Sequence, residues 1–87
     1  MSKQLGTISL LTTDRQASSQ AMNKVLSDHG HHIMARLGVH VERHCADHCT
    51  GLITLAVEAT EDDIKALVEE LNKIPEIKAQ YIILTNE

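Results

Sequence analysis

All histidines and cysteines of this chain lie within one short segment. The sequence contains six histidines and two cysteines, and all of them fall between residues 29 and 49. Imidazole and thiolate groups together suit Ni²⁺, Zn²⁺, copper and iron. The segment therefore predicts a transition-metal site, with nickel or zinc as the expected ion. The candidate ligands are His31, His32, His40, His44, Cys45, His48 and Cys49.

A first ligand set lies at the tip of a predicted hairpin. His40 and His44 share one face of a strand, but a separation of about 13 Å keeps them from binding one ion. His44, His48 and Cys49 can approach each other where the two strands meet, with Cys45 as a fourth ligand. The C-x₃-C spacing is typical of zinc sites, although the sequence has no second cysteine pair. The same two cysteines could instead form a strained, redox-labile disulfide.

A second ligand set needs more than one subunit. It joins His40 and Cys49 with His31 or His32 of a neighbouring copy. An alternative without any metal stays open, because exposed histidines are ordinary at hairpin tips and after helices. His29, for example, favours the negative end of a helix dipole without binding anything.

Composition argues against several function classes. The formal net charge is −4 and the eight basic residues are scattered, so we expect no direct binding to nucleic acid. Tyr81 is the only aromatic residue, which leaves nothing to stack on exposed bases. No apolar run is long enough to cross a membrane and no signal peptide is evident, so we expect a cytoplasmic location. A Cys49–His44 nucleophile pair lacks a pocket-forming insertion, so we expect no enzyme activity.

The first half of the chain reads as a strand and a helix. Residues 7–11 are predicted as a short strand. Thr13 is predicted as the N-cap of the helix, with Gln16 completing a capping box. Apolar residues then recur at helical spacing over about residues 14–29. Gly30 is expected to end the helix in the left-handed conformation.

A long second strand follows over residues 32–44, with a bulge expected at Gly38. The next strand covers residues 52–58. Alternation predicts two faces for the second strand, with Leu37, Val39 and Val41 on one and His40, Glu42 and His44 on the other.

The second half repeats the plan of the first. Thr60 is predicted to cap a helix that Pro75 stops, and a strand over residues 77–84 follows. The apolar stripe of the helix consists of Ile64, Leu67, Val68, Leu71 and Ile74.

The order βαββαβ predicts one α+β domain over residues 1–87 with a ferredoxin-like fold. Its four-stranded antiparallel sheet carries both helices on one face. The other face is too apolar to stay in water, so we expect a homo-oligomer, a dimer or a tetramer, built through this face and the second strand. The open face is predicted to carry Thr7, Ser9, Leu11, His40, Glu42, His44, Leu52, Thr54, Ile82 and Leu84.

Two stretches of the sequence carry a family resemblance. "RLGV" forms an Arg–hydrophobic–Gly motif in the second strand, and "GLITLAVEATEDDIKALVEELNKIPEIKA" supplies the following strand, helix and strand. In these stretches the chain resembles the small regulators of the iron-only hydrogenase system, which are stand-alone ACT-like proteins. The resemblance covers nearly the whole chain. It implies an ACT-like fold and a regulatory role.

The same fold is similar to the C-terminal, metal-sensing domain of nickel-responsive repressors. That domain has a His-rich segment after its first helix, a His-x-His in its second strand and a cysteine before its third. The similarity implies His31 or His32, His40 and Cys49 as ligands. This chain departs from the pattern at Glu42, which stands in place of the second histidine, and its cysteine lies two residues further from the strand. The ribbon-helix-helix segment of those repressors is absent from the sequence.

Two other function classes stay open beside a metal-binding regulator. An ACT-like module could bind an amino-acid-like molecule at a subunit interface. Such a site favours a glycine in the turn after the first strand, where this chain reads TTDRQ. A plain assembly protein with neither metal nor ligand is the remaining alternative.

Overall fold

The computed structural model describes residues 3–40 and 49–85, without the side chain of His40. The elements follow the order βαββαβ, with a short 3₁₀ helix before the second strand. They are β1 (Gln4–Thr12), α1 (Arg15–Asp28), the 3₁₀ helix (Gly30–His32), β2 (Ile33–His40), β3 (Gly51–Ala59), α2 (Glu61–Asn72) and β4 (Ile77–Ile83). The predicted α+β, ferredoxin-like fold is confirmed.

The four strands form one antiparallel sheet in the order β2-β3-β1-β4. β2 and β4 are therefore the edge strands. An apolar core of described residues lies between the helices and one face of the sheet. Its fully buried side chains include Ile8, Leu10, Leu55, Ile64, Leu67 and Leu71.

The second helix follows its sequence pattern closely. Thr60 caps α2, because its hydroxyl accepts a hydrogen bond from the Asp63 amide at 3.2 Å. The apolar stripe faces the core, with Ile74 packed partly against it. The helix ends at Asn72, three residues before Pro75.

The first helix begins differently from its prediction. Asp14, and not Thr13, is the N-cap, and its carboxylate accepts a hydrogen bond from the Ala17 amide at 3.1 Å. Thr13 instead uses its backbone amide to reach the Glu76 carbonyl oxygen at 3.0 Å. The predicted Thr13–Gln16 capping box is therefore wrong. A carboxylate one residue later offers the same acceptor to the helix N-terminus, and the sequence pattern does not separate the two caps.

The entry into β2 also differs from its prediction. Gly30 opens the 3₁₀ helix and does not take the left-handed C-cap conformation. The register shift in β2 lies between Ile33 and Ala35, whereas Gly38 pairs regularly with Ile53. The bulge predicted at Gly38 is therefore wrong in position.

The open face of the sheet is largely as predicted in β1, β3 and β4, but β2 is inverted. Leu37 and Val39 pair with Thr54 and Leu52, so they lie on the open face. His40 pairs with Gly51 along the backbone, and the predicted place of its side chain on the open face lies outside the described part of the chain. Alternation predicts that the more apolar residues of a strand face the core, but the helices cover the edge strand β2 only in part. The predicted open-face positions Glu42 and His44 lie outside the described residues.

Candidate functional site

The predicted metal ligands that the structure describes lie in two separate places. His31 and His32 lie before β2, at one end of the sheet, and Cys49 lies just before β3, at the other. His44, Cys45 and His48 lie outside the described residues, as does the side chain of His40. The pairing of β2 with β3 runs from Ile33 opposite Val57 to His40 opposite Gly51. The two ends of β2 are therefore about 23 Å apart by strand rise.

The histidines before β2 contact the carboxylates of α2. His29 Nε2 lies 2.7 Å from Glu70 Oε2, and His32 Nε2 lies 3.7 Å from Asp63 Oδ2. The rings of His31 and His32 are 3.8 Å apart between centroids. Burial and the neighbouring charge of His31 lower the pKa of His32, while Asp63 acts in the opposite direction. This group links the end of α1 to α2.

Cys49 is held against the start of α1. It is 2% exposed, and its sulfur is disulfide-bonded. The amide of Cys49 donates to Gln16 Oε1 at 3.0 Å, and Gln16 Nε2 donates to the sulfur at 3.3 Å. The Arg15 amide donates to the Cys49 carbonyl oxygen at 2.8 Å. Gln16 therefore anchors the start of β3, a role that its sequence position did not indicate.

The two groups cannot share one ion within a single chain, because they lie at opposite ends of β2. Within residues 3–40 and 49–85, no three His, Cys, Asp or Glu side chains are grouped so that they could hold a metal ion. The first predicted ligand set contains three residues outside this part of the chain, so it stays a prediction. The second set keeps His40 and Cys49 at one end and needs its third ligand from another copy.

A groove between α1 and β2 is a feature that the sequence reasoning missed. It has a volume of about 450 Å³ and opens on the helix side of the edge strand. Arg15, Ser19 and Asn23 of α1 line one wall, and Arg36 and Gly38 of β2 line the other. The only sequence signal was Arg36 and Gly38 themselves, which are part of the quoted RLGV motif.

The groove is basic in a chain that is acidic overall. None of the described residues that line it is an aspartate or a glutamate. The Nε atom of Arg15 is buried and has no hydrogen-bond partner among the described residues. The stem of this side chain lies on Gly51, where an added Cβ would approach Arg15 Cγ to 2.8 Å and Cδ to 2.7 Å. The missing side chain at Gly51 therefore leaves room for Arg15.

Solved structures share this fold. The uncharacterized protein TM1266 from Thermotoga maritima superposes with a TM-score of 0.83 at 22% identity, over 95% of this chain and 99% of that chain. The ACT domain of GTP pyrophosphokinase from Chlorobium tepidum gives 0.67 at 17% identity, over 100% and 92%. CPII, a nitrogen regulatory PII-like protein from Thiomonas intermedia K12 bound to ADP, AMP and bicarbonate, gives 0.52 at 15% identity, over 95% and 94%. The fold is therefore ACT-like, as the sequence resemblance implied.

The other comparisons concern sequence. No curated protein matches the chain. Among the described helices, neither is long and apolar enough to cross a membrane. A family model matches residues 4–81, which is most of the chain, and its members are described as candidate regulators of the iron-only hydrogenase system. The chain therefore belongs to the TM1266-like family of candidate iron-only hydrogenase system regulators.

Proposed function

We propose that this chain is a small regulatory protein that acts as a homo-oligomer, with a second copy covering the open face of its sheet. The observation that carries the proposal is the apolar character of that face. Seven large apolar side chains of the described residues are exposed on it, namely Leu5, Leu11, Leu37, Val39, Leu52, Ile82 and Leu84. The regulatory role is supported by the family description and by the ACT-like fold.

The size of the open face suits a stable interface between two copies. Four strands of seven to nine residues give a footprint of about 19 by 24 Å. The side chains raise the accessible area above this flat footprint of roughly 450 Å², towards the ~800 Å² that each partner buries in a standard interface. Among the described strand residues, this face carries one acidic side chain, Glu58, and one basic side chain, Lys78. A second copy matches this nearly neutral surface, and a two-fold contact needs only one self-complementary patch.

The two edges of the sheet are not equally available. Asn72 of α2 donates to the Ala79 carbonyl oxygen at 3.0 Å and accepts from the Ala79 amide at 2.7 Å. The helix therefore occupies backbone groups of β4 that another strand would need. We infer that β2, and not β4, is the edge that takes part in assembly.

The oligomer is tested by placing a charge on the open face. Leu37→Asp changes a residue that is 65% exposed in the single chain, so the fold is expected to tolerate it. Gln20→Asp, on the exposed side of α1, adds the same charge away from the face. Sedimentation velocity is expected to give an oligomer for the natural sequence and for Gln20→Asp, and a monomer for Leu37→Asp. A monomeric natural protein, or an unchanged oligomer in Leu37→Asp, would contradict the proposal.

We further propose that this oligomer responds to a transition metal, which it binds at the end of β2 that carries His40. The support is the register, since His40 pairs with Gly51, two residues after Cys49. His31 and His32 lie at the opposite end of β2, so a histidine ligand from that group would come from another copy. Metal binding would then depend on assembly. Because Cys49 binds a metal only as a thiolate, it would also depend on reduction of the disulfide.

The metal is tested by elemental analysis of untagged protein after incubation with Ni²⁺ or Zn²⁺, with and without reductant. We expect bound metal in the reduced protein and much less in the oxidised protein. His40→Ala and Cys49→Ser should lower the stoichiometry, whereas His29→Ala, outside both ligand sets, should not. A reduced protein that binds neither ion, or unchanged stoichiometry in both ligand variants, would refute the metal proposal.

A further inference from the structure

We propose that the groove between α1 and β2 binds a small organic anion through the guanidinium groups of Arg15 and Arg36. The groove lies within one chain, so binding there would require neither the oligomer nor the metal. The volume of about 450 Å³ lies within the range of small-molecule sites, which is roughly 300–1,000 Å³.

The charge of the groove is the first argument. Two arginines face a surface with no described acidic residue, although the chain has twelve acidic and eight basic residues. Neither Arg15 nor Arg36 forms an ion pair with a described residue. The planar fork of a guanidinium matches the two oxygens of a carboxylate or a phosphate. The free charges of the groove therefore favour an oxyanion.

The buried nitrogen of Arg15 is the second argument. Its Nε atom is removed from solvent and has no acceptor among the described residues, which is unfavourable for a charged group. Its stem lies against Gly51, so the side chain is positioned before any ligand arrives. An anion in the groove would supply the missing acceptor.

The other residues that line the groove indicate the chemistry of the uncharged part of the ligand. Ser19 and Asn23 offer neutral polar groups, and Met22 and Ile53 offer buried apolar surface. The hydroxyl of Ser18 is already used, because it bonds to Thr12 Oγ1 at 2.7 Å and donates to the Asp14 carbonyl oxygen at 2.9 Å. The groove therefore suits a small molecule whose carboxylate or phosphate groups meet the two arginines and whose remaining atoms contact these neutral side chains.

Gly38 allows the groove to be closed without touching either arginine. A Cβ at this position would have Ile53 Cγ1, at 4.0 Å, as its nearest neighbour, so the backbone accepts a side chain there. Valine suits a strand and would occupy space that the ligand needs. Gly38→Val is therefore a variant that should fold and lose binding.

The experiment is isothermal titration of the full chain with inorganic pyrophosphate as the phosphate probe and citrate as the carboxylate probe, at constant ionic strength. Saturable binding of at least one probe is expected. Arg36→Gln and Gly38→Val should each weaken it at least tenfold, and Arg15→Lys should weaken it while keeping the stem on Gly51. Lys65→Gln on α2 removes the same charge outside the groove and should leave the affinity within twofold. Circular dichroism of each variant verifies the fold.

The two probes distinguish the sources of the anion, since binding of pyrophosphate alone indicates a phosphate ligand and binding of citrate alone a carboxylate ligand. Absence of saturable binding for both probes would overturn the proposal. An equal loss of affinity in Lys65→Gln would also overturn it, because the binding would then reflect overall charge. Leu37→Asp should still bind, so a failed oligomer prediction and a failed groove prediction give different results.

Discussion

Replacing Gly6 by alanine should destabilise the fold, whereas the same change at Gly38 should not. Gly6 lies in the central strand β1 and pairs with Val57 on one side and Ile83 on the other. An added Cβ would clash with the Ile82 carbonyl oxygen and would lie 3.3 Å from the Ile82 carbonyl carbon and the Ile83 Cα. All of these atoms belong to the backbone of β4, so no side-chain rotation can relieve the clash.

The loss of stability in Gly6→Ala can be estimated from two ways of relieving this clash. Moving β4 within the packed sheet costs about 1–3 kcal/mol, as overpacking usually does. Releasing the end of β4 loses the bond from the Leu84 amide to the Leu5 carbonyl oxygen, 2.8 Å long, at about 0.5–1.5 kcal/mol. It also loses the partial burial of Ile83, at about 1–2 kcal/mol. We therefore expect Gly6→Ala to lower the free energy of unfolding by about 2–3 kcal/mol, against about 4–13 kcal/mol for a domain of this length.

The assay is urea unfolding followed by circular dichroism, at one protein concentration for all variants because assembly contributes to stability. Gly38→Ala is the control, and it should gain about 0.4–1 kcal/mol because alanine restricts the unfolded chain. Hydrogen exchange should locate the weakening of Gly6→Ala at β4 and its pairing with β1. Equal unfolding midpoints for the two variants would refute the argument from backbone contact.

Three further changes test other parts of the structure. Asn72→Ala leaves both backbone groups of Ala79, which is 4% exposed, without these partners, so urea unfolding should show a loss of about 1–3 kcal/mol. The pKa of His32 is lowered below its ordinary 6.5, so the unfolded chain binds the proton more tightly than the folded chain. The free energy of unfolding should therefore decrease as the pH drops below 6.5, and it should decrease less in His32→Gln. An identical decrease in both proteins would exclude His32 as a contributor. Asp14→Ala should lower the free energy of unfolding, measured with urea or heat, by about 1 kcal/mol, whereas Thr13→Ala should change it by less than about 0.5 kcal/mol. The reverse order would show that Thr13 is the cap.

Local sequence patterns predicted the structure correctly wherever one face of an element meets the core and the other meets water. The stripe of α2 and its cap at Thr60 could be predicted because helical spacing places the apolar residues on a single side. The alternation in β1, β3 and β4 was equally informative. In these elements one cause, the contact of a single face with the core, sets both the residue pattern and the burial. The fold class therefore followed from the order of the elements.

Edge strand β2 could not be predicted in the same way. Its apolar residues Leu37 and Val39 face the open side of the sheet, and the register shift before Ala35 lies where no glycine indicated it. A pattern of alternation separates two faces but does not say which of them the helices cover. That depends on where the helices lie across the sheet, which is a property of the whole packing.

The sequence by itself determined the ACT-like βαββαβ fold, the apolar face that favours assembly, and the candidate metal ligands grouped between residues 29 and 49. The tertiary structure fixed how far His31 and His32 lie from Cys49, because an extended strand of eight residues lies between the two ends. Only the tertiary structure also brought Arg15 and Arg36 to one groove. These residues are far apart along the chain and belong to different elements, so their meeting depends on how α1 packs beside the edge strand, which no local spacing encodes.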